Sequence, residues 1–165
     1  MISANLGELF ASSIRDVFRL EVRQSYKVAG EEARLAAWRA GLDWPADVTP
    51  WQERVKLLVS KGVRMRRVHV IEPPITEYVR WEMEAYERNA TFGEEIRLVE
   101  RERVPEGMPD TDFWLFDETL VVLMRYSADG VLIERELCEG NAQAYVLARD
   151  LIWQAARPLA LWRDG

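Results

Sequence analysis

Residues 112–117 read Asp112-Phe113-Trp114-Leu115-Phe116-Asp117, four large apolar side chains held between two acids. Strand side chains alternate between two faces, so Phe113 and Leu115 point one way and Trp114 and Phe116 the other. A short apolar run of this kind predicts a strand covered on both faces, hence a central one. Asp117-Glu118-Thr119 then turns the chain. Thr119 to Tyr126 is a second apolar strand, and Ser127-Ala128-Asp129-Gly130 carries the Asp-Gly hairpin signal. Val131 to Leu137 returns as its partner. An antiparallel sheet is therefore built outward from the 112–117 block. Asn141 is placed to cap a last helix that runs to about Arg157, before Pro158.

Upstream, Val63 to Ile71 reads as a strand that Glu72-Pro73-Pro74 ends. Ile75 to about Asn89 is a helix closed near Gly93, and Glu95 to Glu102 is a strand with Ile96 and Leu98 on one face. The first sixty or so residues read as helices. Leu6, Leu9, Phe10, Ile14, Val17 and Leu20 recur close to a 3.6-residue period between Asn5 and about Tyr26. A short helix starts at Gly30-Glu31-Glu32 and stops at Gly41. Thr49 as cap and Pro50 as first residue open another, to about Ser60. The expected fold is α+β, a single domain over residues 1–165. Its helical part, 1–61, packs on a mainly antiparallel sheet flanked by two helices, 62–165, with the helices on one face.

A chain of 165 residues, 48% hydrophobic and 30% charged, buries a core without staples. Its seven tryptophans read as packing at the core and its rim. One cysteine, Cys138, excludes an internal disulfide and fits a reducing compartment. No basic stretch followed by an apolar run marks a leader, and no segment approaches the ~18 apolar residues of a membrane span. A cytoplasmic location without membrane contact is expected. The net charge of −6 is uneven: residues 72–118 hold five basic and fourteen acidic side chains, net −9. That acidity argues against direct nucleic-acid binding, which rests on neutralising phosphates. The basic run Lys61 to Arg67 reads as a solvated strand face.

The chemistry-bearing patterns are sparse. There is one histidine, His69, and nothing ties it to Cys138 or to a serine as a nucleophile–base pair. Phosphate-binding glycine loops and the His and Cys spacings of metal sites are absent. No cofactor, metal site or catalytic set is expected, and His69 reads first as a satisfied structural histidine, second as a pH-sensitive or catalytic one. Two carboxylates stand out. At 100° per residue, Glu82 falls inside the apolar arc of Ile75, Val79 and Tyr86. On the first helix, the same count sets Glu21 beside Phe10, Ile14 and Val17. A buried carboxylate needs a partner, and Arg23, Arg64 and Arg67 are available. Each acid is either half of a buried ion pair or part of a pocket with a perturbed pKa. The binding candidates are Glu21, Arg23, Arg64, Arg67, Tyr78, Trp81, Glu82, Trp114 and Asp117.

Several of these residues belong to a wider pattern. Arg19-Leu20-Glu21 with Arg23 and Tyr26, Arg67-Val68-His69-Val70 with the following prolines, Tyr78, Arg80-Trp81-Glu82, Gly93-Glu94, Ile96-Arg97 and the 112–117 block together resemble one actinobacterial family of unknown function. The resemblance covers about residues 9–157, with the Asp-Phe-Trp-Leu-Phe-Asp block its most specific element. Genes of that family often stand beside Xre-like helix-turn-helix regulators. His69 stands where the pattern leads one to expect an arginine, which weighs against it as a catalytic residue. The later elements, ending in Leu151-Ile152-Trp153-Gln154-Ala155, are also similar to half of a phospholipase-D-like domain, without its His-x-Lys pair. The resemblance implies a non-enzymatic regulatory or protein-interaction module with a protein partner such as a helix-turn-helix regulator. The alternative is a small-molecule sensor with a groove lined by Glu21, Glu82, Trp81 and the Arg64–Arg67 strand; a carboxylate-based enzyme is a third reading.

Overall fold

The computed structural model describes residues 3–162. In these residues the chain forms five α-helices and seven strands. They are α1 (Leu6–Ser12), β1 (Asp16–Glu21), α2 (Glu31–Arg39), α3 (Pro50–Ser60), β2 (Arg64–Ile71), α4 (Glu77–Ala90), β3 (Glu95–Glu100), β4 (Asp112–Phe116), β5 (Leu120–Tyr126), β6 (Leu132–Cys138), α5 (Ala142–Ala155) and the two-residue β7 (Arg157–Pro158). All strands join one sheet in the order β6-β5-β4-β1-β2-β3-β7. β1, β2 and β3 run parallel, and every other neighbouring pair is antiparallel. The fold class is α+β with a mixed sheet.

Much of the local reading holds. Thr49 caps α3 in a reciprocal box with Gln52, with Pro50 at the first turn. Thr76 caps α4 through its hydroxyl. β4 is buried along its whole length, as a run apolar on both faces requires. Asp117 and Glu118 both have positive φ, and Thr119 N–H bonds the Phe116 carbonyl, the mirror-image turn that joins antiparallel strands.

The helix expected from Asn5 to Tyr26 is the main departure. It ends at Ser12, where Ser13 turns its N–H to the Phe10 carbonyl and its hydroxyl to the Leu9 carbonyl. Residues 16–21 become β1 at the centre of the sheet, every one of them buried. Ile14, in phase with the helix, is 73% exposed. The deciding interaction comes from about a hundred residues away. Asp117 accepts the backbone N–H groups of Ile14, Arg15 and Asp16 at 2.8–3.0 Å and aligns the chain for pairing with β4. No local pattern encodes that clamp.

Parallel strands need crossovers, and these put helices on both faces rather than one. Val17 and Met65 with Trp114, Phe116 and Val122 pack under α1 and α3 through Phe10, Val55 and Leu58. Farther along the same face, Ile71 and Leu98 pack against Val79 and Tyr86 of α4. On the opposite face Phe18, Leu20, Val68, Phe113 and Leu115 pack against Val146 and Ile152 of α5.

Candidate functional site

The face under α4 is apolar at one end and charged at the other. Val17, Arg19 and Glu21 follow one another on this face of β1 by strand alternation. In register beside them on β2 stand Met65, Arg67 and His69. Asp112 of β4 and Glu94, just before β3, extend the charged end. From above, α4 lowers Glu82 and Tyr86, one helical turn apart, onto the row. Glu21, His69 and Glu82 are 3%, 0% and 7% exposed.

Arg19 donates to Asp112 and to the Tyr126 hydroxyl, each at 2.9 Å. Asp112 also accepts from the Tyr26 hydroxyl (2.6 Å) and the Val22 N–H (2.9 Å). Arg67 pairs with Glu21 and, through Nε, with Glu94 at 2.8 Å; the Trp51 indole N–H donates to Glu94 at 3.0 Å. Both guanidiniums lie over the Trp114 ring, 5.2 and 5.8 Å from its centroid. The Tyr86 hydroxyl lies 3.3 Å from Glu21 Oε1.

His69 bridges sheet and helix. Its Nε2 is 2.6 Å from the Arg23 carbonyl, which only accepts, so Nε2 carries the proton. Nδ1 faces the Tyr86 hydroxyl at 2.9 Å and Glu82 Oε2 at 3.3 Å. Glu82 Oε2 is itself buried without a hydrogen-bond partner.

Two guanidiniums thus meet four carboxyls, Glu21, Glu82, Glu94 and Asp112. Burial alone would raise Glu21, but Arg67, with His69 and Arg19, outweighs it and pulls the carboxyl down to about 2. Glu82 goes the other way: burial, and then the charge of Glu21, push it well above the usual carboxylate range. The two carboxyls, whose nearest oxygens lie within 4.8 Å, are thus pushed in opposite directions, a pattern of perturbed groups frequent in functional sites. Burial also pushes Asp112 up, opposed by Arg19.

Of the nine candidates, Glu21, Arg67, Glu82 and Trp114 come together here. Glu21 does so from a strand, not from a helix. Arg23 contributes its carbonyl to His69, while its side chain turns outward to the Ala128 carbonyl at 2.9 Å. Tyr78 donates to Glu31 of α2 at 2.7 Å, and Trp81 is buried against Trp44, stacked at 6.1 Å. Arg64 lies apart, paired with Glu95 at 2.7 Å on the exposed start of β2, and Asp117 clamps the entry to β1. Neither of two open grooves, of about 500 and 390 Å³, contains Glu21, His69 or Glu82. The sequence reading did not assign Arg19, Tyr26, Tyr86, Glu94 or Asp112 to a site. Arg19 and Asp112 carried a signal, since a charged residue in an otherwise apolar strand needs a partner across it.

Fold and site together define an α+β domain whose mixed sheet keeps an acid-rich buried cluster beneath one helix. The chain belongs to a family described as a domain of unknown function, DUF6879, whose model matches residues 4–164. No curated protein matches it. Among solved structures the fold is similar to that of TrmBL2, an archaeal chromatin protein whose structure shows a novel mode of DNA binding. The TM-score is 0.50 at 10% identity, over 92% of this chain and 49% of that one, so the chain spans about half of its fold relative.

This likeness corrects the expectation that the acidic middle third argues against direct nucleic-acid binding: a DNA-binding protein carries this fold. Segment charge was a poor guide because many of the acids do not face solvent unpaired. Glu82, Glu94 and Asp112 are buried, while Glu72 and Glu95 are paired with Arg101 and Arg64. Among the described residues no helix is long and apolar enough to cross a membrane.

Proposed function

We propose that this domain is a non-enzymatic regulatory module in which a small ligand enters the compartment beneath α4 and sets how that helix sits on the sheet. The observation that carries the reading is Glu82, a buried acid with one oxygen unpartnered, aimed at His69 and Glu21. A carboxyl in that position costs free energy unless something completes it. α4 is the element that would respond. One flank rests on apolar residues of β2 and β3, and the other meets the polar row of the sheet through Glu82 and Tyr86. α2 leans on its outer side through Tyr78–Glu31 and Arg39–Glu77, so a shift of α4 reaches the surface.

Native mass spectrometry of the purified chain, beside Glu82→Gln, tests this reading. A bound small ligand in the parent and not in the variant is expected, together with slower amide exchange in α4 of the parent. Equal masses and equal α4 exchange in both proteins would end the reading.

A second reading, a protein-interaction module, is favoured by the outer side of α5. Leu147 and Leu151, one turn apart, are 59% and 40% exposed beside a groove lined by Met108 and Tyr145. Leu151→Glu leaves the core intact and should abolish such an interaction. The fold relative adds DNA to the partners to be measured. Anisotropy of a labelled duplex at about 50 and 200 mM salt decides this: affinity that falls steeply with salt reports phosphate contacts, and none at the lower salt excludes them.

A further inference from the structure

We infer that Glu21, His69 and Glu82 form a binding site for one first-row divalent transition-metal ion. The inference rests on the compartment beneath α4 being a ligand site and names the chemistry of its ligand. Each of the three residues offers one ligand atom, and these atoms lie within 4.8 Å of one another. His69 Nδ1 and Glu82 Oε2, at 3.3 Å, already stand at about the separation of two ligands in a tetrahedral shell with bonds of about 2.0–2.1 Å. The third ligand needs a movement of at most about 1.5 Å, within reach of a glutamate rotamer change.

Three further features suit a cation. The Arg23 carbonyl holds the proton of His69 on Nε2, which leaves Nδ1 an acceptor facing the cluster, where it now meets the Tyr86 hydroxyl at 2.9 Å that a metal would displace. Backbone carbonyls fix metal-binding histidines in this way. Glu82 Oε2 is buried, unpartnered and aimed at the same point. Finally, four buried or nearly buried carboxyls surround two guanidiniums, a deficit of positive charge that a divalent ion fills. Arg67 and the Tyr86 hydroxyl both approach Oε1 of Glu21. A donor set of one imidazole and two carboxylates, without sulfur, selects Zn²⁺, Mn²⁺ or Fe²⁺ rather than Cu⁺, and its nitrogen disfavours Ca²⁺. The ligands come from β1, β2 and α4, so no short sequence spacing announces them.

The test uses the full chain, stripped by dialysis against a chelator. Co²⁺ is titrated and followed by its visible absorption, and Zn²⁺ is then added to displace it. One equivalent of Co²⁺, with bands that Zn²⁺ removes, is expected. Glu82→Gln and His69→Gln should each weaken binding at least tenfold, the lower bound for disturbing a metal site. Glu102→Gln, an exposed acid, should leave it unchanged. Circular dichroism of the metal-free variants checks that they fold. Glu82→Gln preserves side-chain shape and decides the matter if His69→Gln does not fold.

Absence of saturable uptake, or uptake equal in the parent and Glu82→Gln, overturns the inference. If Co²⁺ fails to bind while mass spectrometry finds another ligand that depends on Glu82, the metal is excluded and the compartment reading stands. If Co²⁺ binds as expected without changing α4 exchange, the metal site stands and the regulatory reading falls.

Discussion

The two faces of the sheet each bury an ion cluster, and the clusters are built differently. Under α5, Asp16 sits between Arg66 and Arg149 at 2.8 and 2.9 Å, one buried acid shared by two buried cations. Glu118 and Asp150, both at the surface, take the remaining donors of Arg149, and the Trp153 ring lies 5.2 Å from Arg66. Its one buried acid has two cations, and its other two acids reach water. Under α4, four carboxyls crowd two guanidiniums and one of them, Glu82, has no cation of its own. A cluster whose buried acid has two cations explains itself as structure: it ties α5 to β1 and β2. An acid-rich cluster at similar depth does not, because burying a surplus carboxyl lowers stability unless it is neutralised.

Substitution separates the two. Asp16→Asn removes the sole buried acid of the α5 cluster and leaves two guanidiniums facing each other. Breaking a buried pair from one side costs about 3–5 kcal/mol, which for a chain of this size lowers the melting temperature by roughly 10 °C. Glu21→Gln should cost less, about 2 kcal/mol, because Arg67 keeps Glu94. Glu82→Gln should change metal-free stability by less than about 1 kcal/mol, since burial pushes Glu82 towards the neutral form that an amide resembles. Thermal unfolding of the three variants with chelator present checks the order. A Glu82→Gln loss as large as that of Asp16→Asn would show that both clusters are structural and remove the contrast.

The contrast was half visible in the sequence. Glu82 could be found because α4 has the period its residues advertise, so an acid inside the apolar arc had to be buried. Glu21 was singled out correctly from a mistaken element: Leu6, Leu9 and Phe10 belong to a real helix, and Ile14, Val17 and Leu20 happen to continue its phase. What turns that continuation into a strand is Asp117, together with the open edges of β2 and β4, all distant in sequence. The same distance hid the site. The register that sets Glu21 beside His69 depends on β1 running parallel to β2 through a crossover of more than forty residues, and a parallel pairing leaves no hairpin signal. His69 is buried with both ring nitrogens partnered, as expected of a structural histidine, but its partners, the Arg23 carbonyl, Tyr86 and Glu82, lie on segments that no sequence spacing joins to it.

The smallest expected effect tests the clamp that creates β1 and so underlies both clusters. Partial burial would raise the Asp117 carboxyl, but the N–H groups of Asp16, Ile14 and Arg15 outweigh it and hold the carboxyl below the usual range, with the exposed Arg15 guanidinium helping. A carboxylate whose folded pKa is depressed adds stability that is fully present above its unfolded value, about 3.9, and is lost as pH falls through the lower folded value. Asp117→Asn keeps one acceptor oxygen and the positive φ, which asparagine tolerates. The variant should therefore be modestly less stable at neutral pH, and its stability should fall less steeply than the parent's between about pH 4 and 2. Urea unfolding across that range measures the difference. Parallel pH profiles would mean that the Asp117 charge does not hold the start of β1, and that pairing with β2 and β4 alone overrides the helical phase of residues 14–20.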